Sequence, residues 1–258
     1  MAYQTPAPLF APASYPKTAP QLSVVVPMHN EEGNAAALVA EIADAVQDFH
    51  AEIIVVDDAS TDATKSILVG LKADFPTLRV LAHHKNAGQS RAVRTGILGA
   101  KGKIIATLDG DGQNLPHDIS ALYTQLKRDN APDSLVMVAG ERQGRQDSQA
   151  KLWASKAANT LRKKLLKDAS NDTGCGIKVF YRNAFLRLPY FDHVHRYLPA
   201  LMAREGFEVE FAPVRHRARA HGTSKYTNFG RAAVAFRDLM GVTWLIARSR
   251  NPDRIEEL

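Results

Sequence analysis

Short apolar runs punctuate the first two thirds of the chain at regular intervals. Leu22–Pro27, Ile53–Val56, Leu78–Ala82, Ile104–Leu108, Leu135–Ala139 and Ile177–Phe180 are dominated by Val, Ile and Leu. Continuous runs of this length read as strands buried on both faces. Between them the apolar positions recur at helical spacing. Residues 33–49 carry Leu38, Ile42, Val46 and Phe49, which predicts a helix, and further helices are predicted over 61–74 and 88–100. Alternating strand and helix imply an α/β protein, a mostly parallel, Rossmann-like sheet with helices on both faces.

The polar residues that end these runs carry the candidate chemistry. Ile104–Leu108 runs into Asp109-Gly110-Asp111-Gly112-Gln113-Asn114. Glycines beside the two acids relax the backbone, so both carboxylates can turn to a common point. Hard cations take oxygen ligands and often bridge to substrate phosphates. Asp111 and Gln113, two apart on an extended segment, can point the same way and share such an ion. Leu22–Pro27 runs into Met28-His29-Asn30-Glu31-Glu32, and Ile53–Val56 into Asp57-Asp58-Ala59-Ser60-Thr61-Asp62. Ligands of parallel sheets bind outside the carboxyl ends of the strands, so Glu31, Asp58, Asp109 and Asp111 can line one crevice. Ser60 and Asp62 read instead as helix caps.

These motifs, with Asn86-Ala87-Gly88, resemble an inverting family-2 glycosyltransferase of the GT-A type from about Leu22 to Arg250. Gly140-Glu141-Arg142, Asn171-Asp172-Thr173-Gly174-Cys175-Gly176 and His221-Gly222-Thr223-Ser224-Lys225-Tyr226 narrow the likeness to the polyprenyl-phosphate sugar transferases, the dolichol-phosphate mannose synthase group. Thr173 and Cys175 stand where that group more often has Ser and Phe. The resemblance implies transfer of a sugar from a UDP- or GDP-linked donor to an undecaprenyl- or dolichyl-type phosphate, for cell-envelope glycan modification. It implies Mg²⁺ or Mn²⁺ at Asp111 and Gln113, with Asp109 assisting the ion or contacting the ribose. Asp58 resembles the family's base-reading acid, and Pro27 and Glu31 other members of the nucleoside pocket. Asp109, Asp111 and Arg142 form the catalytic set on this reading.

Charge refines the picture. Residues 1–140 hold 11 Lys/Arg and 15 Asp/Glu, whereas residues 141–258 hold 22 and 12. The first part suits a metal and the second suits anionic ligands. Arg142, Arg145, Arg217, Arg219 and Lys225 are the candidates to hold an acceptor phosphate, because arginine forks bind phosphate bidentately and Lys acts as a point charge. A phosphate monoester has its second pKa near about 6 and is largely ionised at neutral pH, so no general base is required. Arg215, Arg217 and Arg219 alternate and would share one side of an extended segment, where a basic edge strand is the plainer reading. Lys178 reads as a surface residue. The histidine pairs 83/84, 193/195 and 216/221 lack zinc-site spacing and read as loop or surface residues. No nucleic-acid motif interleaves the basic residues with aromatics.

A single cysteine excludes an internal disulfide and suits a reducing compartment. Residues 1–20, with five prolines and almost no charge, predict a disordered tail rather than a signal peptide. Residues 21–227 are then the catalytic domain and 228–258 an amphipathic C-terminal segment. An amphipathic helix over 228–247 is expected to touch a membrane surface, and another over 149–167 is a further candidate. The first has a longest uncharged run, Leu239–Ala247, too short to span a bilayer. Packing on the sheet is the plain alternative for both. The expected place is the cytoplasm, peripherally on the inner face of the plasma membrane, beside a separate membrane protein that uses the product. Two other functions stay open. A family-2 transferase with a soluble or glycan acceptor would need a carboxylate base, for which Glu141 and Asp172 are the candidates. A non-enzymatic adaptor would bind no nucleotide sugar.

Overall fold

The computed structural model describes residues 18–143, 162, 163, 165, 166, 170, 172–218 and 228–250, with side chains omitted for 228–233. Residues 1–17 of the predicted N-terminal tail, most of the 149–167 helix, and Arg145, Arg219 and Lys225 lie outside these residues.

Among the described residues seven strands form one sheet: β1 (Leu22–Met28), β2 (Ala51–Asp57), β3 (Leu78–Ala82), β4 (Ile104–Thr107), β5 (Leu135–Arg142), β6 (Lys178–Tyr181) and β7 (Glu208–Val214). Their order is β3-β2-β1-β4-β6-β5-β7. The pairs β1–β2, β2–β3, β1–β4 and β5–β7 are parallel, and β6 is antiparallel to β4 and β5. The sheet is therefore mixed, with β6 alone running against the others. That reversal places the start of β6 at the edge where the other strands end.

Burial on both faces follows from the uninterrupted apolar runs. Val24, Val26, Ile53, Val55, Ile104 and Ala106 face one core, and Val25, Ile54, Val56 and Ile105 face the other. Such alternation is the pleat of a strand covered on both sides. Helices α1 (Glu32–Ala45), α2 (Thr64–Leu71) and α4 (Asp118–Lys127) cover the first face, with Leu38, Ile42, Leu68, Ile119 and Leu122 buried. Helix α3 (Gln89–Gly99) covers the second with Val93 and Ile97. It is joined there by α5 (Arg182–Leu186), α6 (Leu198–Arg204) and α7 (Asn228–Ala247), which contribute Phe185, Leu201 and Val242.

Two boundaries differ from the sequence reading. Helix α1 stops at Ala45, yet Val46 and Phe49 still meet the core from the following turns. Helix α2 starts at Thr64 because Asp62 accepts from the Thr64 amide at 3.0 Å and its hydroxyl at 2.6 Å. Ser60 is no cap of that helix. Its hydroxyl accepts from the Asn30 amide at 3.0 Å and ties the turn after β2 to the turn after β1. Strand β7 escaped the sequence reading since its Glu-Val-Glu-Phe-Ala-Pro-Val pattern is half polar, as an edge strand is; Pro213 is tolerated there.

One buried carboxylate fastens the sheet at the end opposite the crevice. Glu52 on β2 accepts from the Ser23 hydroxyl at 2.7 Å and the Lys101 amide at 2.6 Å, and pairs with Arg79. Burial pushes its pKa up, but these donors outweigh it and hold the group below the usual carboxylate range. Glu52→Ala strands these donors and is expected to cost on the order of 2–4 kcal/mol. Urea unfolding of the variant, compared with Asp74→Ala at an exposed position, measures it.

Candidate active site

The crevice opens where the strand order reverses, between the carboxyl ends of β1 and β4. Its first wall is built by two turns stitched together. Asn30 and Ala59 both adopt left-handed backbone, at φ 55° and 57°. The Asn30 side-chain oxygen accepts from the Thr61 amide at 2.7 Å, the Thr64 hydroxyl from the Glu31 amide at 2.8 Å, and Glu32 from the Ala63 amide at 2.9 Å. Glu31 accepts from the Asn34 amide group at 2.7 Å. Pro27 is buried in β1 opposite Val56.

Asp58 is buried and its carboxylate faces inward. It accepts from the Ala87 amide at 2.9 Å and the Gly88 amide at 2.8 Å, and lies 2.6 Å from His83 Nδ1. His83 Nε2 in turn meets the Thr95 hydroxyl at 2.9 Å. His83 is thus a half-buried organiser of the crevice, not the loop residue the sequence suggested. Asp58 fixes the Asn86-Ala87-Gly88 loop and so aims the first turn of α3.

That turn reaches the acids after β4. Gln89 donates to Asp109 Oδ1 at 2.7 Å. The Asn114 side chain accepts from the Asp109 amide at 3.1 Å, and Asp111 from the Gln113 amide at 3.2 Å. Gly110 is required by closeness. A Cβ there would stand 2.5 Å from the Pro27 carbonyl oxygen. Across the crevice, a Cβ at Gly176 would lie within 2.7 Å of both Asp109 carboxylate oxygens. The glycine before β6 is therefore the floor on which that carboxylate rests.

Lys178 corrects the sequence reading. It is buried, not at the surface, and donates to the Cys175 carbonyl. Burial pushes its pKa down, while Cys175, Asp109 and Asp172 pull it back up. Burial and the neighbouring Asp111 push Asp109 up to about 6, with Lys178 and Arg142 opposing. A lone lysine in an apolar run (Ile177-Lys178-Val179-Phe180) was the available signal. Gln89 had none beyond its place after Gly88.

The predicted cations divide. Arg142 ends β5 and holds Asp172 with a two-pronged pair, Nε–Oδ2 2.6 Å and Nη2–Oδ1 2.7 Å. The hydrogen bond to Asp172 raises its pKa. Arg217 grips Glu41 on α1 at 2.8 Å and 3.0 Å and donates to the Gly112 carbonyl, clamping the acidic loop from outside. Arg215 pairs with Asp118 instead, so the two arginines diverge rather than share one side. His195 is likewise no surface histidine. It lies 2.6 Å from the Ser90 hydroxyl, and burial holds its pKa well below the usual range.

Asp109, Asp111 and the Gln113 side-chain oxygen offer the hard oxygen donors that Mg²⁺ or Mn²⁺ prefers. The raised Asp109 pKa comes first from burial and then from the neighbouring Asp111 carboxylate, an environment that an added cation would relieve. Among the described residues no three His, Cys, Asp or Glu side chains gather into a metal-holding group. The donor set fits an ion whose remaining ligands come from a bound diphosphate.

Residues 23–188 match the sequence profile of glycosyl transferase family 2. The chain is 33% identical to a dodecaprenyl-phosphate galacturonate synthase from Rhizobium johnstonii, over 90% of this chain and 69% of that one. Its fold is similar to a mannosyltransferase from Pyrobaculum calidifontis solved with GDP-Man and Mn²⁺ (TM-score 0.63, 20% identity, 93% of this chain and 67% of that one). It is also similar to glucosyl-3-phosphoglycerate synthase from Mycobacterium tuberculosis solved with UDP (TM-score 0.65, 18% identity, 91% and 83%).

An acid with a raised folded pKa weakens the fold while ionised, and the cost fades as pH falls through that pKa toward the unfolded value of 3.8. Asp109→Asn is therefore expected to stabilise the metal-free protein by on the order of 2–3 kcal/mol above about pH 7 and by little below about pH 4. Denaturant melts across pH, run in chelator, read the difference.

Proposed function

The chain belongs to glycosyl transferase family 2, and on that premise we propose that it moves a sugar from a nucleoside-diphosphate donor to the phosphate of a polyprenyl lipid. The observation that carries the acceptor is the likeness, over nine tenths of the chain, to a synthase of a dodecaprenyl-phosphate sugar. The geometry supports it. A hydroxyl acceptor needs a carboxylate base, and of the two candidates, Glu141 and Asp172, the second is held in the pair with Arg142. A lipid phosphate brings its own charged oxygen.

In this reading Pro27, Glu31 and the loop fixed by Asp58 hold the nucleoside. Asp109, Asp111 and Gln113 would hold Mg²⁺ or Mn²⁺, and the ion would supply positive charge against the departing diphosphate. Gln89 and Gly176 set the Asp109 carboxylate, and Lys178 keeps positive charge behind it. Arg142, oriented by Asp172, meets the acceptor phosphate and lessens its repulsion by the donor, with Arg145, Arg217, Arg219 and Lys225 as further candidates. The phosphate oxygen attacks the anomeric carbon from the face opposite the leaving diphosphate, so configuration inverts. Residues 21–227 are the catalytic unit, working on the inner face of the plasma membrane. No helix among the described residues is long and apolar enough to cross a membrane.

The test is transfer of radiolabel from UDP- and GDP-sugars, uronic acids included, to short polyprenyl phosphates with Mg²⁺, Mn²⁺ or chelator. Organic-extractable label that chelator removes is expected. Metal-dependent donor hydrolysis with no lipid label sinks the lipid acceptor and points to a soluble one. Asp111→Ala should lower transfer on the order of a thousandfold. Arg142→Lys, which loses the two-pronged geometry, should lower it by about ten- to a hundredfold, chiefly through KM for the lipid. Calorimetry should find Mn²⁺ bound far more tightly with UDP or GDP than without either. Equal affinity in their absence contradicts a site completed by phosphate.

A further inference from the structure

Helix α7 packs on the second core through Leu239, Val242 and Ile246. Its other face is exposed among the described residues. Phe236, Met240 and Trp244 follow one another at one-turn spacing and are 60%, 50% and 63% exposed. Ala235, Arg237, Gly241, Ala247 and Arg248 are the other exposed residues over the same stretch. A Cβ at Gly241 would meet nothing within 4 Å, so among the described residues nothing covers the middle of the stripe. Large apolar side chains lined up in water mark a binding surface rather than scattered surface residues.

Charge tells which partner it fits. Asp238 is the only acid of the helix, and it is turned inward, 13% exposed and 2.8 Å from His193 Nδ1. The outward face therefore presents apolar side chains with Arg237 and Arg248 beside them and no carboxylate. The segment carrying His193 also carries Tyr190, with the Arg91 guanidinium 3.7 Å and the Arg94 guanidinium 5.3 Å from its ring centre. Among the described residues neither arginine has a carboxylate partner. Both lie on α3, whose first turn reaches Asp109 through Gln89 and His195 through Ser90. Positive charge without a carboxylate partner among the described residues thus lies on the helix whose first turn borders the crevice.

We infer that the Phe236–Met240–Trp244 face of α7 is a docking surface for an anionic lipid bilayer, with Arg237 and Arg248 on its headgroups and Arg91 and Arg94 extending the contact toward the crevice. Aromatic and aliphatic anchors flanked by arginine suit a helix lying in the interface plane. The inference rests on the lipid-acceptor reading, which it deepens. A helix docked this way and tied to the α3 region brings the crevice to the depth where a lipid phosphate sits.

The experiment compares the full chain with Phe236→Ser/Met240→Ser/Trp244→Ser and with Arg237→Gln/Arg248→Gln, by co-sedimentation with phosphatidylcholine vesicles with and without phosphatidylglycerol. The unsubstituted chain should prefer the anionic vesicles. The triple variant should lose on the order of a hundredfold in partitioning, and the arginine variant should lose the anionic preference. In a Trp153→Phe background, Trp244 emission should shift to the blue on anionic vesicles. Transfer to a short-chain, water-soluble polyprenyl phosphate without vesicles should be the same in all. Equal vesicle binding by the chain and its triple variant overturns the inference even where transfer succeeds. Vesicle binding that the stripe controls, without any sugar transfer, leaves the docking face standing and fails the catalytic reading instead. A concentration-dependent dimer that buries Trp244 without lipid also overturns it, by assigning the face to a second copy.

Discussion

The Asp109 carboxylate lies where it does because residue 176 has no side chain. Either of its oxygens would collide with a Cβ there. The crevice is arranged around that contact. Asp109 leaves β4 at the edge where β6, the one reversed strand, begins. Reversal thus puts Gly176 and Lys178 under the acids, where a parallel strand would present only its end. Thr107, one turn of the pleat before Asp109, donates its hydroxyl to the Gly176 carbonyl at 2.8 Å and fixes the two strands at this point.

Charge at the site is unbalanced on purpose only in the sense that the surroundings hold it so. Two acids share the loop after β4, and burial makes the nearer one resist ionisation. Lys178 and Arg142 partly answer them. The same cations are answered in turn by Asp172 and by the Cys175 carbonyl. An added divalent ion with a diphosphate would close this circuit, whereas either alone would leave it incomplete.

The acids are tied to distant parts of the fold by short polar links. Asp58 holds the loop that starts α3; Gln89 and Ser90 on that helix reach Asp109 and His195. His193, two residues before His195, meets Asp238 on α7. The active crevice and the bare face of the last helix therefore share one set of supports. His83, His193 and His195 sit within them, which explains why histidines without metal-site spacing are nevertheless wired into the molecule.

Much of this was legible in the chain. Six apolar runs specified strands because burial on both faces leaves no room for polar alternation. The acids after three of them followed, since parallel strands end on one edge. The motifs of the β1, β2, β4 and β5 ends were enough to name the family. What the sequence could not give is orientation. A run such as Ile177-Lys178-Val179-Phe180 hints at a buried lysine but does not state which way its strand runs, so the reversal of β6 could not be read from it. Nor does an arginine state which carboxylate it will meet. Arg215 and Arg217 alternate in sequence but part company because Asp118 and Glu41 come from different helices. The amphipathic pattern of α7 was visible, but only packing decides which of its faces finds the core and that its one acid turns inward. Local pattern fixes which elements form; the choice of partner at long range is made by the tertiary fold, where a contact exists only once every neighbouring element is in place.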